Sequence, residues 1–197
     1  MKTYRDFKVI HGKWVRFAVI VFAIGIVVGA GIASVYPELM ETITEGFQTR
    51  FGENPALDLN LAEDIFLQNL MVATVAWIGG LFLGTVSVFV VLANGIILGY
   101  VIAYVSINSE QVWGSSLLLI VGLTPHAIFE LPAFIIAAAL GMRLGLQWLS
   151  ADARGARLAE LKRSFIQTFH YFTYVVFSLA IAGLIEVFIS GKLVSSF

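Results

Sequence analysis

Residues 66–105 run for forty positions without a single Asp, Glu, Lys or Arg. As one helix, at about 1.5 Å per residue, they would reach roughly 60 Å. That is twice the hydrocarbon core of a bilayer, which is about 30 Å thick. A run this long and apolar must either cross a membrane and turn back or fill the core of a large soluble domain. Composition decides between the two: 59% of the 197 residues are hydrophobic and only 13% are charged. Soluble domains carry about a quarter charged residues, so too little charged surface exists to coat a soluble globule. The chain is expected to be an all-α membrane protein, and Phe66–Val105 reads as a hairpin. Asn94-Gly95 supplies its turn signal, with one helix to about Leu92, a turn at Ala93–Gly95 and a second helix to about Val105.

Other spans follow from the same logic. Phe17–Val35 is long enough for one crossing and follows a basic segment with Lys2, Arg5, Lys8, Lys13 and Arg16 against Asp6. A cleaved signal peptide is the competing reading, with GIA at 31–33 as its cleavage site. The apolar run exceeds the about 7–15 residues usual for such a segment, so a retained span is expected. Residues 36–65 are acidic: Glu38, Glu41, Glu45, Glu53, Asp58, Glu63 and Asp64 face Arg50 alone. Within them, Pro37 at a helix-start position marks a short surface helix. Asn60-Leu61-Ala62-Glu63 has the residue types of a capping box, which starts the next helix near Leu61. Residues 115–142 give a fourth span and Phe165–Ser190 a fifth. Between these lies a basic segment, 143–164, whose ARLAELKRSFI stretch is amphipathic and is expected to lie along the membrane surface.

These charges give one orientation. By the positive-inside rule the N-terminus (1–16) and segment 143–164 are cytoplasmic. The acidic loop 36–65 and the C-terminus then lie outside the cell, as five spans require. The expected organisation is a single transmembrane domain over 1–197 in the inner or plasma membrane. A net charge of −1 leaves no domain-wide basic surface, so nucleic acid is not an expected partner. The absence of cysteine excludes disulfides and thiolate metal sites.

Helices in lipid gain little from burying apolar faces against each other, so small residues that permit close approach matter more. Gly25/Gly29, Gly80/Gly84, Gly95/Gly99 and Gly141/Gly145 all have GxxxG spacing. They point to tight packing, either within the chain or across a homodimer.

Residues 124–133, TPHAIFELPA, interrupt the fourth span. Thr124 is a good N-cap and Pro125 suits a first helical turn, and Pro132 removes the N–H that would bond the Ile128 carbonyl. The fourth helix is therefore expected to be broken or kinked. His126 and Glu130, four apart, share a helix face, and Glu130 falls near the bilayer midplane. A charged carboxylate there costs about 2.5 kcal/mol or more. Asn69, Asn94, His170 and Glu186 are the candidate members of a polar intramembrane cluster with them. Four roles fit: packing of a broken helix, a proton- or ion-coupled transport site, a metal-dependent hydrolytic site, or lipid or partner binding. No HExxH, GxSxG or Walker A sequence is present, so familiar catalytic and cofactor signatures are missing. No cofactor or metal is expected.

The order FLQN (66–69), NGIILG (94–99), PHAIFELPA (125–133) and GMRLG (141–145) resembles the stage II sporulation protein M family. The resemblance spans about residues 10–190 and rests on Phe66, Asn69, Asn94, Gly95, Gly99, Pro125, His126, Glu130, Pro132 and Gly141. Ala127 stands where the family pattern has Gly. In spore formers the resemblance implies a membrane scaffold that recruits peptidoglycan-degrading partners. It does not carry that role to organisms that make no spores. The resulting expectation is a non-enzymatic scaffold or membrane-organising component with membrane lipid around it. A homodimer and an extracytoplasmic or membrane protein are its possible partners. A small transporter or channel using Glu130 and His126 is the alternative, and an intramembrane metal-dependent hydrolase a more remote one.

Overall fold

The computed structural model describes residues 2–51, 56–147 and 157–191. Among them the regular structure is all helical: α1 (Lys2–Val35), α2 (Leu39–Phe51), α3 (Leu59–Ile78), α4 (Thr85–Ile107), α5 (Ser109–Gln147) and α6 (Arg157–Ile185). A 3-10 turn, Gly79–Leu81, extends α3, and a π-helical turn, Glu186–Gly191, continues α6. Five stretches are long and apolar enough to cross a membrane: His11–Val35, Leu59–Leu81, Thr85–Ile107, Ile128–Gln147 and Arg157–Ile189. The fourth is the central one. In it 61% of the best apolar window is buried, against 28–33% in the other four. Ala133, Ala137, Ala138, Ala139 and Leu140 are all 1% exposed or less, with α1, α3, α4 and α6 packed around them.

Several boundaries differ from the sequence reading. The hairpin turns at Gly79–Gly84, and Asn94-Gly95 lies inside α4. Leu83 (φ 59°) and Gly84 (φ 75°) both adopt the left-handed conformation that reverses the chain. Glycine takes that shape at no steric cost. Thr85 Oγ1 donates to the Phe82 carbonyl at 2.6 Å and closes the turn. Asn94 needs no turn because its Nδ2 donates to the Val90 carbonyl, 2.8 Å away in its own helix. The second arm thereby becomes a full 23-residue span. At the start of α3 the cap is Asp58, whose Oδ1 accepts from the Leu61 N–H at 3.0 Å. Asn60 sits beyond the cap and donates to the Asp58 carboxylate, so the helix begins two residues earlier than a cap at Asn60 requires.

The expected break at Thr124-Pro125 and Pro132 is not a helix end. α5 is one helix from Ser109 to Gln147. Each proline removes one backbone donor, and in a packed bundle neighbouring groups make up for such a loss. Basic segment 143–164 also proves to be mostly helix. Its first residues end α5 and its last residues begin α6; residues 148–156 lie outside the described residues. The amphipathic ARLAELKRSFI stretch is continuous with the last span from Arg157 onward. No glycine or proline interrupts residues 157–182, so nothing stops the helix there.

The four glycine pairs form two seams inside the chain. In one, Gly25 and Gly29 of α1 meet Gly95, Ile96 and Tyr100 of α4, and Gly99 meets Ile26. Paired numbers rise together, so these helices run parallel. In the other, Gly80 and Gly84, between α3 and α4, lie against Gly141, Met142 and Gly145 of α5. A methyl group at Gly25, Gly29, Gly80, Gly95, Gly99, Gly141 or Gly145 would collide with facing backbone. Ser87 is buried beside this second seam, and its hydroxyl donates to the Ala76 carbonyl at 2.6 Å.

Candidate functional site

The polar residues singled out in the apolar spans do not gather at one point. Asn94 is bonded within α4, as above. Asn69 is half-buried on α3. His170 is exposed on α6, where its ring meets Tyr171 and Tyr174 edge-on at 5.5 and 5.8 Å. The side chains of Thr124, Pro125 and His126 lie outside the described residues. Glu130 and Glu186 are the pair brought together. The π-helical turn carrying Glu186 packs on α5, and the two carboxyl groups interact electrostatically. Both are half-buried. Ser178 of α6 donates to the Phe129 carbonyl at 3.0 Å, next to Glu130, and fixes this part of α6 on α5. Among the described residues, no three His, Cys, Asp or Glu side chains stand where they would hold a metal ion.

A second polar cluster lies at the basic end of the bundle, where the sequence reading placed none. Arg143, expected in the basic segment between two spans, is 5% exposed on α5, and His11 on α1 is fully buried. Arg143 Nη1 donates to His11 Nε2 at 3.0 Å, and Nη2 donates to Gln167 Oε1 at 2.8 Å. A guanidinium has only donors, so His11 accepts through Nε2. The His11 ring also meets Tyr171 edge-on at 4.9 Å. One turn further along α5, Gln147 donates to Glu160 Oε1 at 3.0 Å. One arginine of α5 thus clamps the neighbouring α6 and the sequence-distant α1. The available signal was weak: Arg143 lies inside GMRLG, between the two glycines of a packing motif, and so belongs to a helix rather than a loop.

At the other end of the bundle the acidic segment is also tied down. The Tyr100 hydroxyl of α4 lies 2.9 Å from the Tyr36 carbonyl and 3.0 Å from that of Pro37. Those carbonyls join α1 to α2, so Tyr100 fixes where α2 leaves the bundle. Along and just before α2, Glu38, Glu41 and Glu45 are exposed.

Fold and surface together define a multi-pass, all-helical membrane protein with one acidic and one basic end. The chain belongs to the stage II sporulation protein M family, whose family model, described as Stage II sporulation protein M, matches residues 18–191. No curated protein matches the chain. No solved structure matches it either.

Proposed function

We infer that this chain is a non-enzymatic scaffold of a cell membrane, with its basic end cytoplasmic and α2 outside. In this reading α2 recruits an extracytoplasmic or membrane protein that presents a basic surface. The observation that carries it is the Tyr100 anchor, which holds an exposed acidic helix at a fixed place on the bundle. Two glycine seams support the reading, since backbone-to-backbone contact makes the bundle a rigid base. Both seams use their glycines within the chain, so those motifs are not left over for a homodimer.

The test uses the absence of native cysteine. Gly46 of α2 has open space around it, so a single cysteine there can carry a photo-crosslinker in intact membranes. A defined heteromeric product that disappears in an E38Q/E41Q/E45Q variant is expected. Products limited to lipid or to a second copy would defeat the proposal.

The approach of Glu130 to Glu186 favours one alternative, a small proton- or cation-coupled transporter using Glu130 and His126. On that reading E130Q abolishes flux in proteoliposomes while the protein remains folded. Equal flux from wild type and E130Q would remove it.

A further inference from the structure

Arg143 is buried in the membrane-crossing stretch Ile128–Gln147. Its two described acceptors, the His11 ring nitrogen and the Gln167 amide oxygen, are both neutral. A cation at such a depth faces protein partners or water, and a guanidinium has further N–H groups to satisfy beyond two bonds.

Polar groups continue from Arg143 toward the end of the bundle. Gln147 donates to Glu160, and Arg143 donates to Gln167. Ser164 is four residues after Glu160 and three before Gln167, so these three share the face of α6 that is turned to α5. The row Glu160, Ser164, Gln167 therefore lies along Gln147 and Arg143, with steps of about one helical turn, or roughly 5.4 Å.

Two atoms in this row are left over. Ser164 has no exposed surface, and its Oγ has no hydrogen-bond partner among the described residues. Ser34, Thr44 and Ser106 each donate to the carbonyl four residues back, which Ser164 does not. The buried Oε1 of Gln147 also lacks a partner among the described residues. Its orientation is fixed, because only the NH2 end of the amide can donate to the Glu160 carboxylate. Burying such groups unpaired is unfavourable, and a water molecule with two or more polar partners offsets the loss. Water also suits the charges better than an ion does. An anion would meet Gln147 Oε1 and Glu160, and a cation would meet Arg143.

The row is open at one end and shut at the other. The Glu160 side chain keeps 25% of its exposure. Inward of Arg143 the two helices meet through Ala137, Leu140, Val175 and Leu179, all 1% exposed or less.

We propose that water enters the bundle between α5 and α6 from the basic end, bridges Ser164 Oγ and Gln147 Oε1, reaches Arg143 and stops at this apolar layer. The vestibule stands apart from partner recruitment by α2. It also bears on the transport alternative. Arg143 and Glu130 are about 20 Å apart along α5 with the apolar layer between them, so Glu130 is not served by water from this end.

The test is water-edited solid-state NMR of the full-length protein in bilayers of deuterated lipid, in which magnetisation passes from water protons to carbon. Ser164 Cβ and Arg143 Cζ should gain signal several times faster than the Leu144 methyls. Leu144 lies at the same depth and, like Ser164, has no exposed surface, so dry packing predicts the same slow rate for both. Ala137 in the apolar layer should be as slow as Leu144. Ser164 or Arg143 gaining signal no faster than Leu144 would overturn the vestibule, and Ala137 keeping pace with Ser164 would overturn its closed inner end.

Discussion

Replacing Arg143 with methionine keeps an unbranched, flexible stem and removes every side-chain donor. Two acceptors then lose their partner: His11 Nε2, on a residue with no exposed surface, and Gln167 Oε1, which is only partly buried. Gln167 can turn toward water, so the cost is set mainly by His11. An orphaned buried acceptor costs about 1–3 kcal/mol. For a chain of this size each kcal/mol moves Tm by about 2–4 °C, so R143M should melt roughly 2–12 °C lower in detergent. H11L alone should also destabilise, because it leaves a buried guanidinium without one of its two described acceptors. When both partners become apolar, neither penalty remains. The double variant H11L/R143M should therefore be less destabilised than the sum of the singles, with a coupling of about 1–3 kcal/mol. Tm values that add within error would show that the two residues do not act on each other, and the clamp would be refuted.

Tyr100→Phe removes the hydroxyl at the α1–α2 junction and should cost about 0.5–1.5 kcal/mol. Hydrogen exchange should show faster opening of residues 39–51 while α4 and α5 stay protected. Asp58→Ala removes the side-chain cap of α3, and a loss of about 0.5–2 kcal/mol is expected in thermal melts. Asn60→Ala should cost less than Asp58→Ala, because Asn60 donates to Asp58 instead of capping the helix itself. The reverse order would restore Asn60 as the cap.

Much of the architecture can be read from the chain because the bilayer restricts the choices so strongly. Apolar length fixes the crossings, and GxxxG spacing marks where helices touch. Which glycines turn the chain and which pack it is much less visible. Asn94-Gly95 has the chemistry of a turn in water, yet Gly95 serves as a contact with Gly25. The real reversal uses Leu83 and Gly84, and leucine carries no signal for a left-handed conformation. Pro125 suggests a helix start because proline's preferences describe an isolated helix, whereas α5 runs unbroken through it from Ser109 to Gln147. The polar residues in mid-span drew attention because they are costly there. The His11–Arg143–Gln167 clamp was hidden because basic residues near span ends look like topology signals. Their partners come from helices that only the fold brings together.

The central claim is that the glycines close one bundle internally, and alanine substitution gives it opposite signs at two sites. A Cβ at Gly99 would lie 2.6 Å from the Ile26 Cα, where ordinary contacts begin at 3.4 Å, whereas one at Gly31 meets nothing within 4 Å. Either change gains helix propensity of about 1 kcal/mol, but at Gly99 α1 and α4 must also part, which adds roughly 1–3 kcal/mol of overpacking cost or more. Melting of the purified protein at several concentrations should therefore show Gly99→Ala below wild type and Gly31→Ala at or above it, with neither Tm moving with dilution. Gly99→Ala matching Gly31→Ala, or a Tm deficit that changes with protein concentration, would contradict an internal seam.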